Sequence, residues 1–146
     1  SGLFSHFKSS FLSKILVNGM NNNRINIVDD QICYPTYSFD LARILWLIVT
    51  NNSNIKSNEL YHYTGHEKPI SWFNFAKLIF KYSKKYINTK TMIKPIKSNQ
   101  LNETVRRPKN SCLNNDKISN FIPINSNLEK NIEESVAFFH KDYNNK

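Results

Sequence analysis

Apolar residues near the start of the chain recur at helical spacing. Phe7, Phe11 and Ile15 follow one another every four residues, and Gly19 comes soon after the last of them. Apolar positions three or four residues apart form one face of an α-helix, and a glycine just beyond them often ends it. The pattern therefore predicts a first helix that runs from residue 4 to about residue 18.

Three short segments have the composition of β-strands. Residues 25–28 form a β-branched run that is closed by two aspartates, and residues 60–63 end shortly before Gly65. Residues 92–96 form a third such run, whose Pro95 predicts a position on a sheet edge because proline lacks an N–H group. Strands separated by helical segments, without a strong hairpin signal, predict a mixed α/β chain with more helix than strand.

Two more helices are predicted in the middle of the chain. Ser38 is placed to cap a helix over residues 39–50, and apolar residues on nearly every side predict that this helix is buried. The polar cluster at residues 51–54 is typical of a surface turn. Ser71 is placed to cap the next helix, which carries an apolar face.

Two further helices complete the prediction. A short one is expected over residues 115–121, and the last is expected to begin where Ser126 and Glu129 have the spacing of a capping box. The whole chain of 146 residues is long enough for one domain with a single core, and we predict one domain over residues 1–146.

The formal net charge of +9 invites comparison with nucleic-acid-binding proteins. The lysines are scattered along the chain, however, and are not interleaved with stacking aromatics, so no nucleic-acid partner is predicted. No secretory leader and no apolar span of membrane length is visible, so we expect a cytoplasmic protein without a membrane partner. Cys33 and Cys112 form no metal-binding cluster, and Gly65 separates His62 from His66, so no metal site is predicted.

Several short motifs occur in a recognisable order along the chain. They are DQICYPT at residues 30–36, DLA at 40–42, YH at 61–62, SWFNFA at 71–76 and RRPKNSCL at 106–113. In this order they resemble the carboxy-terminal half of dTDP-4-dehydrorhamnose reductases. These enzymes are sugar-nucleotide members of the extended short-chain dehydrogenase superfamily, so the resemblance implies the carboxy-terminal half of a Rossmann-type fold.

The amino-terminal half of such an enzyme has no counterpart in this chain. Dinucleotide binding needs closely spaced glycines between a strand and a helix, and the chain has only Gly2, Gly19 and Gly65. The resemblance therefore implies that NADPH and the catalytic tyrosine and lysine belong to a missing half, and that this chain holds neither a cofactor site nor a catalytic residue. Ser1 stands in place of an initiating methionine, so we expect a piece cropped from a longer protein.

The resemblance suggests a phosphate contact in the RRPKNSCL motif. Related enzymes place an arginine in a similar late loop to bind the pyrophosphate of a sugar nucleotide, and this role transfers to Arg107, with Arg106 as the second choice. The alternative for either arginine is a surface ion pair of little energetic consequence. Ser111 is expected either to contact the substrate or to cap the following helix, and Leu113 is expected in the core.

The other candidate substrate contacts are Gln31, Thr36 and Trp72. The alternative for Gln31 and Thr36 is that they keep the loop rigid. The alternative for Trp72 is a place in the core, because an aromatic residue at the start of a helix with an apolar face is usually buried. Cys33 stands where the family usually has glycine. If that glycine adopts a positive φ, the cysteine implies strain or a shifted loop.

By resemblance, the whole enzyme transfers hydride from NADPH to the C4 ketone of dTDP-4-dehydro-L-rhamnose. The implied partners are a dTDP-deoxysugar and the amino-terminal Rossmann half, and a homodimer stays open because some relatives dimerise. Two alternatives are a non-catalytic regulatory subunit resembling the β subunit of methionine adenosyltransferase and a split or decayed reductase. In each case the isolated chain is expected to be inactive as an enzyme.

Overall fold

The computed structural model describes most of the chain. The predicted turn at residues 51–54 lies outside the described residues, as do Arg106 and His66. The described residues are 2–7, 10–50, 56, 58–65, 68–88, 90–101, 105 and 107–145.

Helices and short strands alternate along the chain. The helices are α1 (Phe11–Asn21), α2 (Ser38–Thr50), α3 (Trp72–Ser83), α4 (Asp116–Ser119) and α5 (Leu128–Asn144), and a 3-10 turn lies at Ser98–Gln100. The strands are β1 (Leu3–Phe4), β2 (Arg24–Val28), β3 (Ile32–Cys33), β4 (Thr36–Tyr37), β5 (Ile70–Ser71) and β6 (Met92–Ile96). Across the ranges that the structure describes, no helix has both the length and the hydropathy of a membrane span.

The strands of the described residues pair as three two-stranded sheets. β2 and β6 lie parallel in a register that runs from Arg24 opposite Met92 to Val28 opposite Ile96. β1 pairs with β4 in parallel, and β3 pairs with β5 antiparallel. The α/β class and the predicted strands over residues 25–28 and 92–96 are confirmed.

The main core lies around α3. This helix packs against α1 on one side and α5 on the other, while β2 and β6 also contact it. Phe75 and Ile79 of α3 are fully buried, together with Leu12 and Leu16 of α1 and Ile132 of α5. Burying large aliphatic and aromatic side chains removes apolar surface from water, which is the main favourable term for this fold.

The hydroxyl of Ser71 caps α3, as predicted. Its side-chain oxygen accepts a hydrogen bond from the backbone N–H of Asn74 at 3.2 Å. The same hydroxyl donates to a carboxylate oxygen of Asp29 at 2.6 Å. The cap therefore fixes the start of the helix and also ties it to the end of β2.

The first helix begins later than its apolar pattern predicts. Phe4 belongs to β1, and α1 starts at Phe11 after a cap by the Ser10 side chain. Gly19 lies inside this helix and does not end it, so both predicted boundaries are wrong. A Cβ atom on Gly19 would lie 2.6 Å from Cε1 of Phe80, so here the glycine permits close packing of α1 on α3.

The predicted burial of α2 is wrong for this chain. Only Ile44 of this helix is buried, where it joins a small second core with Ile118 and Ile122. The opposite side carries large apolar residues that the described part of the chain leaves exposed. These are Leu45, Trp46 and Val49.

Three smaller predictions also fail. The residues at 60–63 form no strand in the described structure, and Leu113 is 36% exposed, so it is not a core residue. Asn127, not Ser126, caps α5 by accepting from the backbone N–H of Lys130. The Ser126 hydroxyl donates instead to Asp40 at 2.6 Å, a long-range bond that sequence spacing does not reveal.

We expect Ser71→Ala to destabilise the chain by about 1–2 kcal/mol, because it removes a helix cap together with the bond to Asp29. Urea unfolding followed by circular dichroism measures this change. Ser119→Ala is the matched control, since the Ser119 hydroxyl bonds only within its own short helix, to the carbonyl of Asp116. Equal losses in the two variants would contradict the structural role of the cap.

Candidate functional site

The two-residue strand β3 brings three distant motifs together. On one edge Ile32 and Cys33 pair with Ser71 and Ile70 of β5. On the other edge Ile32 forms a parallel bridge with Asn110. The DQICYPT, SWFNFA and RRPKNSCL motifs therefore meet around one short strand.

Main-chain hydrogen bonds hold this junction. The N–H of Ile32 donates to the carbonyl of Lys109 at 2.8 Å, and the Ile32 carbonyl accepts from the N–H of Ser111 at 3.0 Å. On the side of β5, the N–H of Trp72 donates to the carbonyl of Gln31 at 3.3 Å. Since these bonds use backbone groups, the fold fixes the loop path independently of the exposed side chains.

Two neighbouring aspartates anchor the loop where β2 ends. Asp29 donates its backbone N–H to the carbonyl of Ile96 at 3.0 Å and accepts from Ser71 through its side chain. The Asp30 carboxylate accepts from the backbone N–H of Ser98 at 2.8 Å and from the Ser98 hydroxyl at 2.9 Å. The pair thereby connects β2 to the start of α3 and to the turn after β6.

The pKa of Asp30 lies below its ordinary value. Desolvation by itself would raise this pKa. The hydrogen bonds from the backbone N–H and the hydroxyl of Ser98, together with the charge on Lys97, outweigh that effect and lower it. A carboxylate that accepts several hydrogen bonds favours its charged form. Asp30 is therefore a structural anion rather than a proton donor.

Gln31 and Thr36, the predicted contacts in the loop, are both buried. Thr36 is 2% exposed, and its hydroxyl accepts from the N–H of Gly65 at 3.2 Å while it donates to the carbonyl of Tyr34 at 3.3 Å. Gln31 is 6% exposed. This placement gives Thr36 a clear role in holding the loop against the segment around Gly65.

Trp72 stands at the edge of the main core. Its ring centroid lies 4.6 Å from that of Phe11 and 6.2 Å from that of Phe75. A Cβ atom on Gly2 would lie 2.6 Å from the Trp72 ring, so the amino-terminal segment also packs on it. Trp72 is half-buried, and these contacts explain its position by packing.

Arg107 is exposed on the segment that leads into the junction with β3. Lys109, two residues later, is also exposed, so the described part of this segment presents two positive side chains. Arg106 lies outside the described residues. The Ser111 hydroxyl donates to the carbonyl of Ile32 at 3.2 Å, so it neither caps α4 nor points away from the protein.

Cys33 belongs to a paired strand of the structure. It lies in β3 opposite Ile70 and is fully buried. Burial raises the pKa of the Cys33 thiol to about 12, with a further contribution from Cys112. Because the thiolate is the reactive form, Cys33 behaves as a small core residue rather than a nucleophile.

A polar network near the start of α2 was not predicted. One carboxylate oxygen of Asp40 accepts from the Ser126 hydroxyl at 2.6 Å and from the Asn131 side chain at 2.7 Å. The same residues border a groove of about 570 Å³, which Tyr37 and Glu134 also line. Asp40 follows a predicted helix cap in the sequence, but only the fold shows that its partners are Ser126, just before α5, and Asn131 within α5.

Two cavities of the described structure lie away from the predicted contacts. One is the groove beside Asp40, and the other, of about 370 Å³, lies at the ends of α1 and α5 beside Tyr86 and His140. Among the described residues, neither cavity is lined by Gln31, Thr36, Trp72, Arg107 or Ser111. Among the predicted site residues, Arg107 is exposed, whereas Gln31 and Thr36 are buried.

None of the three glycines forms a dinucleotide-binding loop. Gly19 lies within α1, Gly65 packs against Ser126 and Thr36, and Gly2 precedes β1. A pyrophosphate-binding turn needs glycines between a strand and the helix that follows it. Among the described residues there is also no cluster of three or more His, Cys, Asp or Glu side chains that could hold a metal ion.

The sequence model of the RmlD substrate binding domain matches residues 1–140. The chain belongs to the RmlD substrate binding domain family. This match covers the junction around β3 and all three motifs that meet there. It confirms the resemblance that the motif order predicted.

Related proteins of the RmlD family match at both the sequence and the structural level. A dTDP-4-dehydrorhamnose reductase of Aggregatibacter actinomycetemcomitans is 32% identical over 123 residues, which cover 81% of this chain and 41% of that protein. One from Sinorhizobium fredii is 26% identical over 121 residues, covering 81% and 40%. The crystal structure of dTDP-4-dehydrorhamnose reductase from Bacillus anthracis in complex with NADP has a TM-score of 0.76 and 28% identity, over 93% of this chain and 46% of that one.

The chain thus spans less than half the length of the RmlD-family proteins it matches. Its α/β fold is that of extended short-chain dehydrogenases, as predicted. These relatives place the chain in a reductase family whose solved member from Bacillus anthracis contains NADP.

The bonds to Asp30 predict a pH dependence of stability. The folded-state pKa lies below the ordinary value of 3.8, so the unfolded chain takes up the proton first as pH falls. The stabilisation is fully present above the unfolded-state pKa and is lost as pH falls through the lowered folded-state pKa. Asp30→Asn should lower the free energy of unfolding at neutral pH. It should also make this free energy fall less steeply as the pH decreases through the acid range.

Urea unfolding at a series of pH values measures the effect of Asp30→Asn. Asp142→Asn is a suitable control because Asp142 is exposed near the end of α5. If Asp30→Asn and the parent chain lost stability in parallel over the acid range, the structural role of the Asp30 charge would be wrong.

The two cysteines should differ in their reactivity toward iodoacetamide. Cys33 is buried and its thiol pKa is about 12, whereas Cys112 is partly exposed. We expect the native chain at mildly alkaline pH to be alkylated at Cys112 first and at Cys33 only after unfolding. Peptide mass spectrometry reads each site separately, and rapid native labelling of Cys33 would contradict its burial.

Proposed function

We propose that this chain is the substrate-binding half of an NADPH-dependent reductase that converts dTDP-4-dehydro-L-rhamnose to dTDP-L-rhamnose. The observation that carries the proposal is the junction at β3, where three motifs of a reductase family meet and Arg107 is presented to solvent. The 32% identity to a dTDP-4-dehydrorhamnose reductase supports the substrate class.

In this proposal the exposed guanidinium of Arg107 binds the pyrophosphate of the sugar nucleotide. A guanidinium keeps its charge and can donate two parallel hydrogen bonds to phosphate oxygens. The backbone bonds from Ile32 to Lys109 and Ser111 hold the segment that carries this side chain. Binding the nucleotide in a fixed orientation is the contribution of this half, because orientation lowers the entropic part of the barrier.

The cofactor and the proton-transfer groups are assigned to a separate amino-terminal half. The crowded positions of Gly19 and Gly65 support this assignment, since neither is available to approach a pyrophosphate. When bound there, NADPH supplies the hydride for the C4 carbon. The present chain then holds the nucleotide while the other half carries out the chemistry.

We expect Arg107→Ala to raise the dissociation constant for dTDP about 10- to 100-fold, because the variant loses one charge-assisted bidentate contact with the diphosphate. Isothermal titration calorimetry or amide chemical shifts of the 146-residue chain measure this affinity. Lys109→Ala removes a neighbouring charge and is the matched control. Arg107→Lys keeps the positive charge but removes the planar guanidinium, so it shows whether the paired hydrogen bonds matter beyond the charge.

The assignment of Arg107 fails if Arg107→Ala and Lys109→Ala weaken dTDP binding equally. Activity is tested by producing the chain together with the amino-terminal half of the Aggregatibacter actinomycetemcomitans reductase. The mixture should then oxidise NADPH when dTDP-4-dehydro-L-rhamnose is added. An assembled mixture that bound dTDP but showed no oxidation would contradict the proposed reaction.

A further inference from the structure

The cavity of about 370 Å³ at the ends of α1 and α5 lies apart from the candidate substrate site. Asn23 borders this cavity and directly precedes β2, while Thr91 borders it and directly precedes β6. The junction around β3 follows the opposite, carboxyl end of β2. The five residues of β2 therefore separate the cavity from that junction, at a rise of about 3.3 Å per residue.

Side chains that carry rings line this cavity. The ring centroids of Tyr86 and His140 lie 5.3 Å apart, and those of Phe139 and Tyr143 lie 5.6 Å apart. Phe139 is buried, whereas Tyr86 and Tyr143 keep 37% and 47% of their surface exposed. Exposed aromatic rings beside a cavity offer flat surfaces on which a planar heteroaromatic ring can stack.

Amide side chains lie beside these rings. Asn23 and Asn88 line the cavity, and neither side chain makes a hydrogen bond to another of the residues that the structure describes. The amide nitrogen of Asn144 lies 3.0 Å from Nε2 of His140, which holds these two side chains together at the wall. An asparagine amide presents a donor and an acceptor side by side, and this pair matches the N6 amino group and the N7 acceptor of adenine.

The charge on the cavity lining is positive. Lys90 lines the cavity and is exposed, and it forms no ion pair with a described acidic residue. No described aspartate or glutamate lines the cavity. A lysine ammonium group binds phosphate as a point charge, so the lining favours a ligand that joins a planar base to a phosphate.

We propose that this cavity binds an adenine mononucleotide. The adenine ring stacks on the exposed tyrosine rings, the amides of Asn23 and Asn88 bind its edge, and Lys90 contacts the phosphate. The volume of the cavity lies within the range of about 300–1,000 Å³ that small-molecule sites occupy. This site is separate from the one assigned to the sugar nucleotide and does not depend on the proposed reaction.

Isothermal titration calorimetry of the 146-residue chain with AMP tests the stacking surface. We expect Tyr143→Leu to weaken AMP binding at least about tenfold, because the variant loses an aromatic ring on which the base stacks. Phe138→Leu is the matched control, since Phe138 is 43% exposed on the same helix but does not line the cavity. Circular dichroism confirms that both variants fold. Absence of AMP binding, or equal affinities of the two variants, would overturn the inference.

Lys90→Ala tests the phosphate contact. This variant should weaken the binding of AMP and leave the binding of adenosine unchanged, because adenosine has no phosphate. Lys94→Ala is the matched control, since Lys94 is also exposed but lies on β6 outside the cavity. Equal affinity for AMP in Lys90→Ala and Lys94→Ala would contradict the phosphate contact.

Choline tests the rival occupant, an organic cation. The carboxyl ends of helices carry partial negative charge, and aromatic rings attract cations, so the ends of α1 and α5 also suit such a ligand. Removing a positive charge by Lys90→Ala would then strengthen binding instead of weakening it. Choline binding that increases in Lys90→Ala, without AMP binding, would assign the cavity to a cation and overturn the inference.

Competition separates this cavity from the candidate substrate site. Saturating dTDP should not displace AMP, and Arg107→Ala should weaken dTDP binding while AMP keeps its affinity. AMP binding that is lost in Arg107→Ala but retained in Tyr143→Leu would place AMP at the candidate substrate site and refute the cavity. Equal affinities of the cavity for AMP and dTMP would refute the assignment of adenine to its amide groups.

Discussion

The structure depends on the use of both edges of β3. A two-residue strand has few bonds of its own, yet Ile32 pairs with Ser71 on one side and bridges Asn110 on the other. Buried backbone groups must find partners, and here each partner comes from a different motif. The positions of Trp72 and of the segment that carries Arg107 follow from this shared strand.

The aspartates before β3 extend this constraint to the rest of the fold. Asp29 links β2 to the cap of α3, and Asp30 links it to Ser98 after β6. The two residues therefore tie the helical core, the longest sheet and the site to one another. Their acidic character serves the architecture, although acidic residues beside a candidate binding loop invite a chemical interpretation.

Local signals predicted much of the fold, and long-range contacts account for the failures. The Ser71 cap and the strands β2 and β6 follow from neighbouring residues, and all three are confirmed. Ser126 and Gly19 mislead because their roles depend on distant partners, Asp40 and Phe80 respectively. Likewise, the motifs predict the site residues by type, but only pairing around β3 shows which side chains are buried.

The junction at β3 joins residues that are far apart in sequence. The bond from Ser111 to Ile32 spans 79 positions, and the bond from Ser98 to Asp30 spans 68. Closing such long loops carries an entropic penalty that must be met before the contacts form, so topologies of this kind fold slowly. In a nascent chain Ile32 therefore lacks this partner until the segment around Ser111 has been synthesised, which makes the junction a later event than the local helices.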